Sequence, residues 1–287
     1  WGGTLGLSAT YERKYDAPGS ARLVEVFGAV LEPVVGIAEA IHMGRLVPYD
    51  YRLHTIALTE DEQADYDELT DRIRKSMARA DGDIPDYVKM LLLKRARILK
   101  QASVKVGEAL AILREDYSAG DRWLVYCDSI RQLKALVVAC EADGLPVLEY
   151  YAGMPGDRPA VLRSLADFGG IVVAIRCLDE GVDIPAADHA LIVASSTVER
   201  EYVQRRGRLL RVAPNKDHAV IHDLLLTDEE GGALTLGEAA RALEFARLAR
   251  NRSAKERLKL AMALSRDVRL ADGFEDWSAD DEEGDDD

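Results

Sequence analysis

The stretch RWLVYCDSIRQLKALVVACEADGLPVLEYY, residues 122–151, decides the fold. It opens with an almost uninterrupted apolar run, continues with a polar stretch of helical spacing and ends with a second apolar run. Short runs rich in β-branched and aromatic residues predict strands, and the stretch between them is long enough for a helix. A strand, a helix and a second strand in this order predict a βαβ unit with parallel strands.

The same alternation continues on both sides of this unit. The apolar run YRLHTIAL precedes it, and GIVVAI, HALIVAS and HAVIHDLL follow it, with the helical stretches DRPAVLRSLADFG and STVEREYVQRRGRLLR between apolar runs. Strands with so little polar interruption are typical of sheets that helices cover on both faces. The sequence therefore predicts an α/β fold, a parallel sheet flanked by helices.

Two further regions are predicted to be helical. TEDEQADYDELTDRIRKSMARADG and DIPDYVKMLLLKRARILKQASVKVGEALAILREDY predict a helical hairpin, an insertion at about 60–118 that has Thr59 and Asp83 as N-caps. Residues from 231 onward predict one or two C-terminal helices. The hairpin carries a basic cluster that is either a solvated helix face or a track for phosphates: Lys94, Arg95, Arg97, Lys100 and Lys105.

The negative charge of the chain is concentrated at its end. The formal net charge is −14, but residues 272–287 contain ten acidic and no basic residues, so the remainder carries −14 + 10 = −4. Like charges repel and little apolar surface is available there, so this segment predicts a disordered, solubilising tail. A tail that competes with DNA for a basic surface is the alternative.

Several classes of protein are excluded by composition. No apolar run reaches the roughly 18 to 20 residues that a membrane span needs. Cys127, Cys140 and Cys177 have neither CxxC spacing nor a nearby histidine pair, so no disulfide framework or metal site is predicted. The start of the chain lacks the features of a secretion signal, and we expect a cytoplasmic protein. Trp1 stands where an initiator Met would, which suggests a piece of a longer protein.

Four arginines lie within YVQRRGRLLR, residues 202–211. Because ligands bind beyond the carboxyl ends of parallel strands, we expect the side chains of residues 196–211 to converge at that edge of the sheet. On a helix, Gln204, Arg208 and Arg211 would share a face. A guanidinium suits the spread charge of a transferring phosphoryl group. A surface patch that pairs with acidic neighbours is the alternative.

The stretch GIVVAIRCLDEGVDIP, residues 170–185, precedes the arginines by one βα unit. It is a strand followed by an acidic turn. Gly181 permits a close backbone approach, and Asp183 could accept hydrogen bonds from ribose hydroxyls. Taken alone, this motif would equally fit a capped turn.

With GLSATYERKYD at the start, the ordered set resembles a superfamily-two helicase of the DEAD/H type, read from its third motif onward. The nearest resemblance is to the repair-helicase (XPB-like) and type III restriction branch. The matching motifs, in order, are SAT, RWLVYCDS, EYYAG, CLDEGVDIP and QRRGRLLR, and they cover residues 1 to about 225. The resemblance implies that 1–48 end a first RecA-like domain and that 49–230 form a second, followed by C-terminal helices at 231–271 and the tail at 272–287.

The resemblance also implies roles for individual residues. Arg208 and Arg211 would be catalytic arginine fingers. Gln204, Gly181, Asp183, Glu180 and Gly207 would bind ATP, Ser8, Ala9 and Thr10 would couple the nucleotide state to domain closure, and Arg176, Cys127, Ser129 and Gly153 would bind nucleic acid. The implied cofactors are ATP and Mg²⁺, held mainly by the first RecA-like domain. The implied partner is nucleic acid, DNA rather than RNA.

The sequence departs from the family pattern at several points. No G-x-x-x-x-G-K-[ST] loop and no Asp-Glu-x-His box occurs in the 287 residues. Ile175 stands where the fifth motif often has a phosphate-contacting Thr, a contact that Arg176 would replace, and Tyr11 stands for the proline that usually follows SAT.

The expected function is therefore the C-terminal half of an ATP-dependent DNA helicase or translocase that is inactive as an ATPase on its own. One alternative is a Swi/Snf-type duplex translocase that never separates strands. The other is a non-enzymatic subunit that supplies Arg208 and Arg211 in trans.

Overall fold

The structure is a computed structural model that describes residues 6, 17–31, 33–79, 84–175, 187–194, 203 and 206–264. Its elements, in chain order, are α1 (Ala17–Phe27), α2 (Ile37–His42), β1 (Tyr49–Ile56), α3 (Glu60–Met77), α4 (Asp86–Gln101), α5 (Val104–Asp116), β2 (Arg122–Cys127), α6 (Ile130–Ala142), β3 (Val147–Tyr150), α7 (Arg158–Phe168), β4 (Gly170–Ile175), β5 (His189–Ile192), β6 (Ala219–Leu226), α8 (Leu236–Leu248) and α9 (Ser253–Leu264). No helix in these ranges is both long and apolar enough to cross a membrane.

The strands form one sheet with the order β1-β6-β5-β2-β4-β3, and every neighbouring pair is parallel. The amino ends of the strands therefore share one edge of the sheet, called here the amino edge, and the carboxyl ends share the opposite carboxyl edge. This arrangement confirms the predicted parallel sheet flanked by helices.

Helices cover both faces of the sheet, as the alternation along β2 shows. Trp123 and Val125 pack in a core with α5 and α6, while Leu124 and Tyr126 pack in a core with α7, α8 and α9. All four side chains are at most 4% exposed. Successive side chains of a strand point to opposite faces, so an uninterrupted apolar strand needs both layers of helices.

The free edge of β1 is covered by the segment between α8 and α9. Tyr51 N–H donates to Asn251 Oδ1 (2.8 Å), and Asn251 Nδ2 donates to the carbonyl of Tyr51 (2.7 Å). Arg250 N–H donates to the carbonyl of Tyr49 (2.9 Å). One asparagine thus satisfies backbone groups that an edge strand would otherwise leave open to pairing with another chain. The described residues after 231, up to 264, form two helices, and the sequence predicted one or two.

The capping of α3 confirms one prediction. The hydroxyl of Thr59 accepts from Glu62 N–H (3.3 Å), and the Glu62 carboxylate accepts from Thr59 N–H (3.2 Å), which is a complete capping box. Asp83, the other predicted cap, lies outside the described residues.

The continuous helix predicted over about 84–118 is wrong, because the chain breaks between α4 and α5. Ala102 is buried and extended (ψ 126°), and Ser103 N–H donates to the Glu62 carboxylate (2.8 Å). The break is stabilised by α3, a partner that lies 41 residues earlier in the chain. Nothing in the local sequence around Ala102 indicates it.

Two members of the predicted basic cluster are buried, so neither interpretation of the cluster holds for them. Arg95 is 5% exposed, donates to the hydroxyl of Thr70 (3.4 Å) and lies 5.4 Å from the ring centre of Tyr66. Lys105 is 1% exposed at the start of α5. Both side chains support packing between helices rather than facing solvent or phosphate.

Candidate functional site

The arginine-rich stretch ends at the amino edge of the sheet. Residues 206–209 form a helical turn. The carbonyl of Leu210 then accepts from Val47 N–H (2.8 Å), and Arg211 forms an antiparallel bridge with Leu46. Residues 46–47 lie directly before β1, whose neighbour β6 begins at the same level.

The expectation that this stretch converges at the carboxyl edge is therefore wrong for Arg211. A segment that follows β5 and leads into the parallel strand β6 has to return to the amino edge before β6 can begin. Ligands bind beyond the carboxyl ends of parallel strands, so this rule applies to the residues just after β5. Arg211 lies at the other end of the connection, just before β6.

Arg206 anchors the turn. It is 3% exposed, donates through Nη1 to the carbonyl of Glu244 (3.0 Å) and lies 4.8 Å from the ring centre of Phe245. The hydroxyl of Tyr49 donates to the carbonyl of Phe245 (2.5 Å), so the turn, the end of α8 and the start of β1 are joined.

No role was predicted for Arg206 from the sequence. A signal was available, because Arg206 lies three and four residues before Leu209 and Leu210 and shares their face of a helix. Those two leucines are 2% and 0% exposed. An arginine at such spacing from apolar residues is a candidate for burial.

Arg208 and Arg211 lie on the more open side of the turn. Both side chains are half-buried and interact with neighbouring groups. A Cβ added at Gly207 would meet no described atom within 4 Å, so the backbone of the turn is open at this position. Lys216 donates to the carbonyl of Leu209, and burial lowers the pKa of its ammonium to about 8.

These residues fit the phosphates of ATP, since two half-buried arginines lie on an anchored turn whose backbone is open at Gly207. They do not fit Mg²⁺. In the part of the chain that the structure describes, no three His, Cys, Asp or Glu side chains come together as metal ligands.

A second set of predicted residues lies at the carboxyl edge. Ser129 caps α6, its hydroxyl accepting from Gln132 N–H (3.3 Å). Gly153 follows β3 and has a φ of 77°, a conformation that favours glycine. Cys127 ends β2 and is 4% exposed, and burial raises the pKa of its thiol well above the usual range. Only the backbone of Cys127 is therefore placed to contact a ligand.

The remaining predicted site residues lie outside the described residues: Ser8, Ala9, Thr10, Arg176, Glu180, Gly181, Asp183 and Gln204. The structure thus brings Gly207, Arg208 and Arg211 together near the amino edge, and Cys127, Ser129 and Gly153 at the carboxyl edge.

A buried ionic cluster between the sheet and α8 was not predicted. The Asp223 carboxylate accepts from the hydroxyl of Tyr51 (2.7 Å) and from Nη1 of Arg241 (3.2 Å), and all three side chains are buried. Burial raises the pKa of Asp223 and lowers that of Lys105, which lies nearby with Glu238. Opposite charges compensate each other here, so the cluster is structural rather than open to a ligand.

Residues 105–213 match the model of the helicase conserved C-terminal domain. The match begins in α5 and ends just after Arg211, and it includes every predicted motif from RWLVYCDS to QRRGRLLR. This match indicates a helicase C-terminal domain at residues 105–213. The hairpin of α3 and α4 lies before the matched residues.

Similar proteins agree with this assignment. The DNA 3'-5' translocase XPB2 of Sulfurisphaera tokodaii is 22% identical to this chain over an alignment of 223 residues, which covers 72% of this chain and 49% of that protein. The chain therefore spans about half the length of this curated relative.

Two solved structures show the same fold. One is the Sulfolobus solfataricus SWI2/SNF2 ATPase core in complex with dsDNA, with a TM-score of 0.51, 15% identity and coverage of 88% of this chain and 55% of that one. The other is the SWI2/SNF2 ATPase core domain of the same organism, with a TM-score of 0.50, 16% identity and coverage of 84% and 51%.

Proposed function

We propose that this chain is the C-terminal half of an ATP-dependent DNA helicase or translocase. In this proposal Arg208 and Arg211 contact the phosphates of an ATP that is held mainly by another RecA-like lobe. The 287-residue chain alone does not hydrolyse ATP, since its sequence has no phosphate-binding loop.

The observation that carries the proposal is the position of the arginine turn. Arg206 holds the buried side of the turn, and the backbone of Leu210 and Arg211 is joined to residues 46–47. The predicted boundary between two RecA-like domains is at 48/49. The half-buried arginines therefore lie beside the segment through which a preceding lobe would be connected.

The chemistry follows from the charge of the reaction. Bound ATP supplies the phosphoryl group, on whose oxygens negative charge is redistributed as its bond to the leaving group breaks. Guanidinium groups that are already in place stabilise this charge without rearranging, and removing one arginine finger typically costs 10³- to 10⁵-fold in rate. Gln204, Glu180, Gly181 and Asp183 remain predicted ATP contacts, and Mg²⁺ would be held by the other lobe.

We further propose that DNA lies along the carboxyl edge. The capped N-terminus of α6 and the loop at Gly153 offer backbone N–H groups, which suit phosphates and read no base sequence. Support for DNA comes from the relatives, one of which is named as a DNA translocase and another of which was solved with dsDNA.

The test is ATP turnover in a protein that joins this chain to a RecA-like lobe with a phosphate-binding loop. Arg208→Ala and Arg211→Ala should each lower DNA-stimulated kcat by about 10³-fold or more and leave ATP binding largely intact. Arg74→Ala, which removes an exposed arginine of α3 that pairs with Asp71 (2.9 Å), is the matched control. Turnover that is unchanged in both site variants would show that these arginines are not fingers.

A translocase that moves along duplex DNA without separating strands is the second candidate. Its support is the fold shared with the SWI2/SNF2 ATPase core that was solved with dsDNA. The same joined protein decides between the two candidates. Displacement of a third strand from a triplex without unwinding of a duplex supports the duplex translocase, and unwinding supports the helicase.

A further inference from the structure

A basic groove lies where α8 meets α9, outside the matched helicase domain. Its volume is about 510 Å³, and it is lined by Ala246, Arg247, Ala249, Arg250, Arg252, Lys255 and Lys259. Five of these seven residues are cationic. None belongs to the arginine turn or to the carboxyl-edge residues described above.

The cationic side chains of the groove outnumber the carboxylates that pair with them. Arg250 forms a two-point ion pair with Asp50 (3.0 and 2.9 Å), and Arg247 lies 3.8 Å from Glu244. Arg252, Lys255 and Lys259 have no ion pair with any side chain in the described ranges. Clustered cations without counter-ions repel one another, and an anionic ligand would relieve this repulsion.

The course of α9 determines which anion is within reach. Asn251, just before α9, is bonded to Tyr51 near the start of β1. Near the other end of α9, the carbonyl of Ala261 accepts from Ala233 N–H (2.9 Å), and Ala233 forms a bridge with Thr227 just beyond β6. The helix therefore runs along the sheet from the amino edge to the carboxyl edge, and Arg252, Lys255 and Lys259 follow one another along it.

We propose that this basic groove binds the chain's own acidic segment, residues 272–287. Seven residues, 265–271, separate α9 from this segment and span up to about 23 Å when extended. The 12-residue helix α9 is about 18 Å long. The acidic segment can therefore fold back along α9 as far as Arg252.

Charge and tethering favour this occupant over DNA. The segment carries ten carboxylates and no cation, and a short tether gives it an effective concentration in the millimolar range. DNA on the carboxyl edge would lie at the far end of α9 from Arg252. The inference does not depend on ATP or DNA, so it stands or falls separately from the proposed function.

The test is zero-length cross-linking of the 287-residue chain with a carbodiimide. This reagent joins a lysine amine to a carboxylate as an amide and takes up the lost water as a urea. In the monomer fraction at low salt, Lys255 and Lys259 should form at least tenfold more cross-links to residues 272–287 than the exposed control lysines Lys75 and Lys94. The difference should disappear at about 1 M salt, where the Debye length is about 3 Å.

Variants make the result specific. The chain with Arg247→Gln and Arg252→Gln, which keeps every reacting lysine and carboxylate, should lose most of these cross-links, while Asp143→Asn at a distant surface pair should keep them. Equal labelling of all four lysines would overturn the proposal. It would also be overturned if the tail formed no cross-links while added DNA shielded Lys255 and Lys259 from an amine reagent, since the groove would then be a nucleic-acid surface.

Discussion

Charged side chains are enclosed and paired between the sheet and α8, but only half-buried near the amino edge of the sheet. Beneath α8, Asp223 and Arg241 are fully enclosed and bonded to each other, with Lys105 and Glu238 close by. Near the amino edge, Arg208 and Arg211 are half-buried on a turn whose backbone is open at Gly207. Enclosed charges that balance one another hold the fold together. Charges that are presented at a surface indicate where an anion binds.

The largest effect should come from breaking the enclosed pair. Asp223→Ala leaves the Arg241 guanidinium and the Tyr51 hydroxyl buried without their partner. Removing one member of a buried ion pair typically costs about 3–5 kcal/mol, because the remaining charge is uncompensated. Urea unfolding at pH 7 should show a loss of this size in the free energy of unfolding.

The matched control is Asp143→Ala, which removes an exposed carboxylate that pairs with Arg114. Exposed ion pairs contribute about 0–1 kcal/mol, so this variant should unfold almost as the unchanged chain does. If Asp223→Ala cost no more than the control, the charges under α8 would not be essential to the fold.

Arg206 sharpens the comparison, because it belongs to the arginine turn but is as buried as Arg241. Arg206→Met keeps much of the side-chain volume and leaves the carbonyl of Glu244 without its donor. A hydrogen bond from a charged donor contributes about 1.5–3 kcal/mol, and a loss of that size should appear in the free energy of unfolding.

Arg208→Met is the matched control for Arg206, since it changes the same residue type two positions later in the same turn. Its side chain is half-buried rather than enclosed, so it should lose less than half as much. Equal losses in the two variants would mean that burial does not separate the structural arginine from the one we assign to phosphate.

The sequence predicted features that depend on residues close together in the chain. It did not predict contacts between residues far apart in the chain. The strand pattern predicted the parallel sheet, and Thr59 predicted a helix start, because both signals lie within a few residues. Tyr51 and Asp223 are 172 positions apart, and the bond between them has no sequence signature. Arg211 lies at the amino edge because the connection from β5 ends there, just before β6. The motif QRRGRLLR alone does not indicate where this connection ends.

His222 offers the smallest and most specific test, because it is a buried ionisable group. The side chain is enclosed, its Nδ1 lies 3.1 Å from His54 Nε2 and 3.8 Å from Asp116, and its Nε2 has no hydrogen-bond partner among the described residues. Burial, with smaller contributions from His54, Arg52 and His189, lowers its pKa to about 3.

The direction of the pH effect follows from proton binding. Between about pH 6.5 and pH 3 the unfolded chain binds a proton at residue 222 that the folded chain does not, so acid favours unfolding. His222→Asn keeps a polar partner for His54 and removes the titration. In urea unfolding from pH 7.5 to 4, the variant should lose stability more slowly, by up to about 1.4 kcal/mol per pH unit. Above pH 7 the two curves should run parallel. Parallel curves over the whole range would contradict the prediction, because they would show that the imidazole takes up its proton at the same pH in the folded and the unfolded chain.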